Sequence, residues 1–307
     1  MSDRPFVVSL PSPELRDAIG PDVEGVKFVL WDLRDAPPAP TIDLVVPPYL
    51  GRTRFANLAD VKVRLIQSQS IGYDGVREVL PAHMVYANAA SVHETSTAEL
   101  ALALVLASQR GIADFVRAQG EGRWAQSFYP SLADRTVLLV GYGGVGRAIE
   151  ARLAGFEVRL VRVARSERTD DAGTVFATSQ LATLVPEADV VIVAVPLDES
   201  TTALVDDTFL SAMRDGSLFV NVSRGAVADT DALVRHAAAG RLRLALDVTD
   251  PEPLPAGHPL FALGNVIISP HVGGASSAML PRMARLVREQ IGRLQRGDEP
   301  LNVVIRT

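Results

Sequence analysis

Val137-Leu138-Leu139-Val140-Gly141-Tyr142-Gly143-Gly144-Val145-Gly146 decides the fold. Four apolar residues of strand-forming type run straight into a glycine-rich turn. Residues 147–154 then continue with helical spacing, Val145, Ile149 and Leu153 recurring once per turn. Strand, tight turn and helix in direct succession are the context that a dinucleotide-binding loop requires. Gly141 permits the turn, Gly143 lets the backbone approach a pyrophosphate, and Gly146 lets the helix pack close to the strand. The amides at the helix start, at Gly144 and Val145, face the anion.

The same rhythm extends in both directions. Downstream, strand-like runs stand at 158–163, 190–195, 218–222, 242–248 and 266–269, with helical stretches between most of them. Nearly continuous apolar strands joined by helices predict a parallel sheet covered on both faces, because such strands have no solvent face to make polar. Upstream, short apolar runs at 6–8, 26–30, 44–46, 63–66 and 84–86 alternate with turns or helices, and Pro37, Pro38, Pro40, Pro47 and Pro48 make the early part loop-rich. Residues 97–111 are apolar on nearly every side and predict a buried helix ending at Gly111. The tail from 279 to 296 is again helical, with Met283, Leu286, Val287, Ile291 and Leu294 on one side. We expect this tail to return to the N-terminal domain. The expected division is 1–95 with 275–307 as a substrate domain and 96–274 as a Rossmann domain.

Composition narrows the function. The 307 residues are 48% hydrophobic and 21% charged, enough for two ordered domains, and the net charge of −6 gives no electrostatic reason to expect nucleic acid or an anionic membrane. There is no cysteine, which excludes disulfides, thiolate catalysis and cysteine-ligated metal. The start Met1-Ser2-Asp3-Arg4-Pro5 lacks the basic and apolar pattern of an export signal, and no apolar run approaches a membrane span. A cytoplasmic protein is expected, and no metal site is.

The second strand should deliver the group that meets the adenosine ribose, about 20 residues beyond the glycines. The stretch there is Val163-Ala164-Arg165-Ser166-Glu167-Arg168. Ala164 cannot accept from a ribose 2′-hydroxyl, whereas Arg165, Ser166 and Arg168 suit a 2′-phosphate, so NADP(H) is favoured and NAD(H) remains possible. In the alternative reading the arginines are a solvated cluster, and Glu167 or Asp170 takes the acidic role.

Three short motifs follow the loop: Asn221-Val222-Ser223-Arg224-Gly225, Asp247-Val248-Thr249-Asp250-Pro251-Glu252-Pro253 and Ser269-Pro270-His271-Val272-Gly273-Gly274. An arginine clamps a carboxylate through two parallel hydrogen bonds, a histidine exchanges a proton near neutral pH, and a glutamate orients that histidine and favours its charged form. Taken singly, each has an ordinary structural reading as a surface arginine, a turn glutamate or a satisfied histidine. Their joint position at the ends of parallel strands, where open α/β sheets bind ligands, points to reduction of a 2-keto acid. His83, His236 and His258 lack such company, while His93 and Glu94 stand just before the buried helix.

These motifs together resemble the D-isomer-specific 2-hydroxyacid dehydrogenases, the family of glyoxylate/hydroxypyruvate reductases and phosphoglycerate dehydrogenases. The resemblance extends to Ser70-Ile71-Gly72-Tyr73-Asp74, Asn88, Thr97-Ala98-Glu99-Leu100, Gly122-Arg123-Trp124, Val195-Pro196-Leu197 and Pro300-Leu301-Asn302-Val303-Val304. It implies two doubly wound parallel-sheet α/β domains, the Rossmann domain inserted in a discontinuous flavodoxin-like one, with the active site in the cleft between them and closure of that cleft during turnover. It implies Arg224 as substrate clamp, His271 as proton donor and Glu252 as its partner. Asp247 and Pro196 would lie at the cofactor, and Ser70, Ile71 and Gly72 would hold the substrate carboxylate through backbone amides. Ser91 departs from the pattern by standing where the family commonly has glycine. Tyr49 with Leu50 would shape the substrate pocket, and Arg52 and Arg54 would meet a second anionic group on a larger substrate. A homodimer built around 97–111 is also implied.

Rival readings are formate or phosphite oxidation, phosphoglycerate dehydrogenation, and a dinucleotide-binding sensor or corepressor with weak catalysis. Formate oxidation has no need of a proton-donating His271 and Glu252 pair. With the sequence ending soon after its closing helix, no added regulatory domain is expected, and the lack of a disordered tail in it makes a corepressor the less expected reading.

Overall fold

The structure, a computed structural model, describes residues 4–49 and 53–307, so Leu50, Arg52 and the first three residues lie outside the described residues. The chain divides into two compact units, residues 1–93 with 276–307 and residues 94–275.

In the first unit, strands Phe6–Leu10 (β1), Val26–Leu30 (β2), Thr41–Val45 (β3), Lys62–Gln67 (β4) and Val85–Ala87 (β5) join a closing strand, Val303–Arg306, in the order Val303–Arg306, β5, β4, β3, β1, β2. All neighbours are parallel except the closing strand, which runs antiparallel to β5. The helix Met279–Arg296 buries Met283, Ala284, Leu286, Val287, Gln290, Ile291 and Leu294. These repeat every three or four residues and pack with Val8, Leu10, Leu44 and Leu65 of the sheet.

Gln290 is the polar member of that face and is fully buried. Its Nε2 donates to the Gln67 Oε1 at 2.7 Å and to the Leu301 carbonyl at 2.9 Å, while its Oε1 accepts from the Leu301 amide at 3.0 Å. Gln67 in turn donates to the carbonyls of Ser68 and Asn88, both at 2.9 Å. The amide chain therefore fixes the end of β4, from which the loop at Ser70 departs.

In the second unit, Thr136–Val140 (β6), Arg159–Ala164 (β7), Arg168–Asp170 (β8), Gly173–Ala177 (β9), Val190–Val193 (β10), Leu218–Asn221 (β11), Arg243–Leu246 (β12) and Val266–Ile268 (β13) form one sheet in the order β13-β12-β11-β10-β6-β7-β9-β8. Only β8 is antiparallel to its neighbour. The side-chain alternation of a strand sends Leu138, Val140, Val191, Val193, Phe219, Leu244 and Leu246 into one buried cluster. Val137, Leu139, Val190, Ile192, Leu218, Val220 and Ala245 enter another. Both faces are apolar, as the unbroken strand pattern predicted. Two parallel-sheet α/β domains are thus the fold.

The hairpin of β8 and β9 was not legible in the sequence. Both strands are short, and of their eight residues only Val175 is buried, so neither shows an apolar run. The helix expected at 97–111 spans Glu94–Gln109. Among the described residues, no helix is long and apolar enough to cross a membrane.

Replacing Gln290 by leucine keeps the apolar packing but strands the groups it bonds, each buried group left unpaired costing roughly 1–3 kcal/mol. Gln290→Leu should lower the urea midpoint, with Gln290→Glu no rescue. An unchanged unfolding curve would show that the amide chain contributes nothing.

Candidate active site

The sheet order reverses at β6, which has β7 on one side and β10 on the other. In open α/β sheets this switch point is where strand ends splay and ligands bind. Gly141 ends β6 at φ +107, and a Cβ built on it would lie 2.4 Å from the Ala194 carbonyl oxygen at the end of β10. A Cβ on Gly146 would lie 2.1 Å from the Gly141 carbonyl oxygen, so the helix Gly144–Leu153 sits against the loop at a separation that only glycine allows. Gly143, by contrast, meets nothing within 4 Å, and it and Gly144 are exposed. The loop is thus closed toward the protein at Gly141 and Gly146 and open at Gly143, the side that suits a dinucleotide pyrophosphate, while the Glu94 side chain lies against Gly144, where a Cβ would come within 2.9 Å of its Cγ. Val145 is half-buried, and Pro196 is exposed just beyond β10.

The side of the loop next to β7, where the sequence reading expects the ribose, is built around Tyr142. Its ring is flanked by the guanidinium groups of Arg147, Arg162 and Arg168 at 5.8, 5.3 and 5.7 Å, and Arg168 also donates to the Tyr142 carbonyl at 3.3 Å. Burial and a hydrogen bond to Glu150 push the Tyr142 hydroxyl above the usual tyrosine range. Arg162 is buried and bonds Asp170 at 2.9 Å. Asp170, one of the two alternative acidic ribose ligands, is therefore already engaged by Arg162 and by the Ala172 amide. Arg165, Ser166 and Glu167 are exposed, and Arg165 pairs with Asp198.

The catalytic candidates occupy the ends of β11, β12 and β13. Asn221, the last residue of β11, accepts from the Ser223 amide at 3.0 Å and from the Ser223 hydroxyl at 2.6 Å. It donates to the Arg224 carbonyl at 2.9 Å, folding the turn that presents Arg224. Arg224 is half-buried, and its Nη1 donates to the Ser223 carbonyl at 2.7 Å. A Cβ on Gly225 would lie 1.9 Å from the Thr249 carbonyl oxygen, so the Arg224 turn is seated directly on the segment that leads to Glu252.

Asp247 ties β12 to the histidine turn. Its buried carboxylate accepts from the Ser269 hydroxyl at 2.6 Å and from the amides of Val272 and Gly273 at 2.9 Å each, and its carbonyl accepts from the His271 amide at 2.7 Å. His271 is held at φ +53, a left-handed conformation that costs a non-glycine residue about 1–2 kcal/mol and persists only where its surroundings fix it. Its Nδ1 lies 2.6 Å from the Glu252 Oε1. The side chains of both residues stay accessible, 44% and 42% exposed, which leaves the imidazole open to a reactant. With Nδ1 turned to the carboxylate, Nε2 is the nitrogen left for proton exchange.

In the first unit the loop at Ser70, Ile71 and Gly72 is half-buried and anchored from three sides. The Ser70 amide donates to the Ser68 hydroxyl at 3.0 Å, the Asn88 side chain donates to the Ile71 carbonyl at 2.8 Å, and the Ala89 amide donates to the Ser70 carbonyl at 2.9 Å. Behind it, buried His93 bonds the Gln69 carbonyl at 2.6 Å and stacks on Tyr49 with ring centroids 5.5 Å apart. Ser91 adopts φ +81, a conformation glycine takes without strain, which accounts for the residue type expected at that position. Arg54 is exposed at the start of a 3₁₀ turn. His258 caps a short turn through Leu260, and His236 accepts from Arg241.

The sequence placed Asn221 and Ser269 in the motifs of Arg224 and His271 without giving them a role, and it did not single out Arg162. Asn221 acts locally, on Ser223 and Arg224 of its own turn, whereas Ser269 and Arg162 meet Asp247, Glu150 and Asp170 at separations of 22, 12 and 8 residues that no local period marks.

The profile of the D-isomer specific 2-hydroxyacid dehydrogenase NAD binding domain matches residues 102–273. A glyoxylate reductase of Korarchaeum cryptofilum is 32% identical over 79% of this chain and 76% of its own length. The human glyoxylate reductase/hydroxypyruvate reductase is 32% identical over 80% of this chain and 78% of its own. Among solved structures, a D-isomer specific 2-hydroxyacid dehydrogenase of Xanthobacter autotrophicus Py2, in complex with NADPH and MES, superposes with a TM-score of 0.82 at 26% identity, covering 98% of each chain. The fold, the glycine loop and these similarities together establish that the chain belongs to the D-isomer specific 2-hydroxyacid dehydrogenase family.

Proposed function

We propose that this enzyme reduces a small 2-keto acid of the glyoxylate or hydroxypyruvate type to the D-2-hydroxy acid, with NADPH preferred over NADH. The observation that carries the reading is the His271–Glu252 pair at 2.6 Å, accessible and set at the ends of parallel strands beside the turn of Arg224. The similarity to glyoxylate reductases supports the substrate class, and the NADPH complex of the Xanthobacter relative supports the cofactor.

The glycine loop and the helix start at Gly144 and Val145 hold the pyrophosphate, Arg165, Ser166 and Arg168 meet the ribose 2′-phosphate, and Asp247 and Pro196 border the nicotinamide end. The nicotinamide held there would supply the hydride for the substrate's carbonyl carbon. Arg224 clamps the carboxylate and draws charge off the keto oxygen, while the backbone of Ser70, Ile71 and Gly72 offers further donors to the carboxylate. His271 Nε2 gives its proton to the keto oxygen as the hydride arrives. Glu252 holds the ring through Nδ1, which leaves Nε2 directed to the substrate oxygen.

We extend the proposal to a cytoplasmic homodimer. The acidic, cysteine-free composition is in line with that location. The helix Glu94–Gln109 itself turns much of its apolar surface inward, with Ala98, Ala101, Leu102, Leu104 and Val105 buried within the chain. Support for a dimer comes instead from the next segment, where Ile112, Phe115, Val116, Trp124 and Phe128 are all exposed. Trp124→Ser together with Phe128→Ser should shift sedimentation toward monomer, and a sedimentation coefficient independent of both changes would remove that support.

Absorbance loss of NADPH and of NADH, followed with glyoxylate, hydroxypyruvate, pyruvate and phenylpyruvate, tests the activity. Consumption with NADPH favoured is expected. Binding of both cofactors with no keto acid reduced would overturn the reading in favour of a sensor.

His271→Ala should lower kcat by about 10²–10⁴-fold with little change in cofactor affinity, the usual range for a lost general acid. Glu252→Gln should cause a smaller loss. Arg224→Ala should lower kcat/KM on the order of 10²–10³-fold, because it removes a charge that stabilises the developing oxyanion. Steady-state kinetics on variants with unchanged melting curves decide each role, and near-wild-type turnover in any of the three would refute the assignment for that residue.

A further inference from the structure

The end of β7 carries no acidic residue, since Ala164 stands there and Arg165 follows. A carboxylate nevertheless reaches this place from another strand. Asp198 follows Val195-Pro196-Leu197 at the end of β10, and its Oδ2 is paired with the Arg165 guanidinium. Strands β7 and β10 flank β6, so the pair links the carboxyl ends of the two strands on either side of the glycine loop.

Asp198 is held for this contact. Its Oδ1 accepts from the Ser200 amide at 2.9 Å and from the Ser200 hydroxyl at 2.6 Å. Its amide donates to the Thr201 hydroxyl at 2.8 Å, and that hydroxyl donates on to the Pro196 carbonyl at 2.7 Å. The Asp198 carbonyl accepts from the amides of Thr201 and Thr202 at 3.1 and 2.9 Å. One carboxylate oxygen is thus consumed by its own turn, and the other is presented to Arg165. The Ser200 hydrogen bonds, with Arg165, hold the carboxyl below the usual carboxylate range, so it is charged at neutral pH.

We propose that Asp198 is a cofactor-specificity residue, whose carboxylate competes with the ribose 2′-phosphate for Arg165 and accepts from the ribose 2′-hydroxyl when the phosphate is absent. The inference rests on the reading of Arg165 as a 2′-phosphate ligand. A phosphate brings more charge and three acceptor oxygens, so it displaces the single carboxylate oxygen. The displaced Asp198 remains fixed nearby by Ser200 and repels the phosphate, which lowers NADPH affinity below what Arg165 alone would give. With NADH there is no repulsion, and Asp198 supplies the acidic ribose acceptor that Ala164 cannot. The side chain therefore narrows the difference between the two cofactors.

The test is the dissociation constant of NADPH and of NADH, measured by titration calorimetry on full-length wild-type enzyme, Asp198→Asn, Asp198→Glu and Arg165→Gln. Asparagine keeps the oxygen that Ser200 bonds and removes only the charge. Asp198→Asn should tighten NADPH and weaken NADH, raising the affinity ratio roughly two- to fivefold, the size of one solvent-exposed charge pair. The change should shrink as salt is raised, which a purely structural effect would not do. Asp198→Glu should restore a ratio near wild type. If Arg165→Gln weakens NADPH while Asp198→Asn leaves the ratio unmoved at low salt, the role of Asp198 is overturned and the phosphate-site reading survives. If Arg165→Gln leaves NADPH affinity unchanged, the phosphate-site reading itself fails, and the proposal with it.

Discussion

Strand β10 is Val190-Val191-Ile192-Val193, buried on both sides, and the strands beside it are nearly as apolar. A parallel sheet with helices on both faces has no solvent side, so any polar residue within it must find a partner or pay desolvation. Polar chemistry is therefore confined to the strand ends, where backbone groups are no longer spoken for by the ladder. Arg224, Asp247 and His271 each stand within three residues of the end of β11, β12 or β13, and the glycine loop stands at the end of β6. The position of the candidate site follows from this confinement more than from any single residue in it.

Confinement alone would leave three mobile loops. What makes them a site is a small set of buried acceptors and close approaches. Asp247 accepts three hydrogen bonds through its carboxylate and one through its carbonyl, all from residues 269–273, and so dictates the left-handed backbone of His271. Asn221 does the same for the Arg224 turn, and the contact of Gly225 with Thr249 sets that turn against the segment leading to Glu252. The reactive groups gain accessibility because the restraining groups beneath them are buried, a division of labour that limits how far the site must reorganise during reaction.

The cluster around Tyr142 follows a different logic. Tyr142 is surrounded by three arginines, one of which, Arg162, is buried and balanced by Glu150 and Asp170. The exposed arginines, Arg147 on the helix after the loop and Arg168 on β8, then present positive charge to solvent above this internally neutralised cluster. Arg165 is held by a carboxylate rather than left unpaired, so an anion that reached it would have to compete with Asp198.

The sequence by itself determined the parallel sheets, the glycine loop, the buried helix before it and the amphipathic closing helix. Each depends on a local period or a local turn: unbroken apolar runs in β6, β10 and β11, glycines at fixed offsets, and Met283, Leu286, Val287, Ile291 and Leu294 on one helical face. The motifs of Arg224, Glu252 and His271 were legible for the same reason, as rare residue types placed just after strands. The tertiary structure alone decided what lies against them. Nothing near Asp198 in the chain points to Arg165, 33 residues away, or ties Gln290 to Gln67 across 223 residues. Those pairings exist because the strand order makes distant segments neighbours, and strand order is set by how helices cover a sheet rather than by the residues that later meet. The same cause hid the β8–β9 hairpin, whose few side chains answer to the neighbouring β7 and Arg162 instead of to a period of their own.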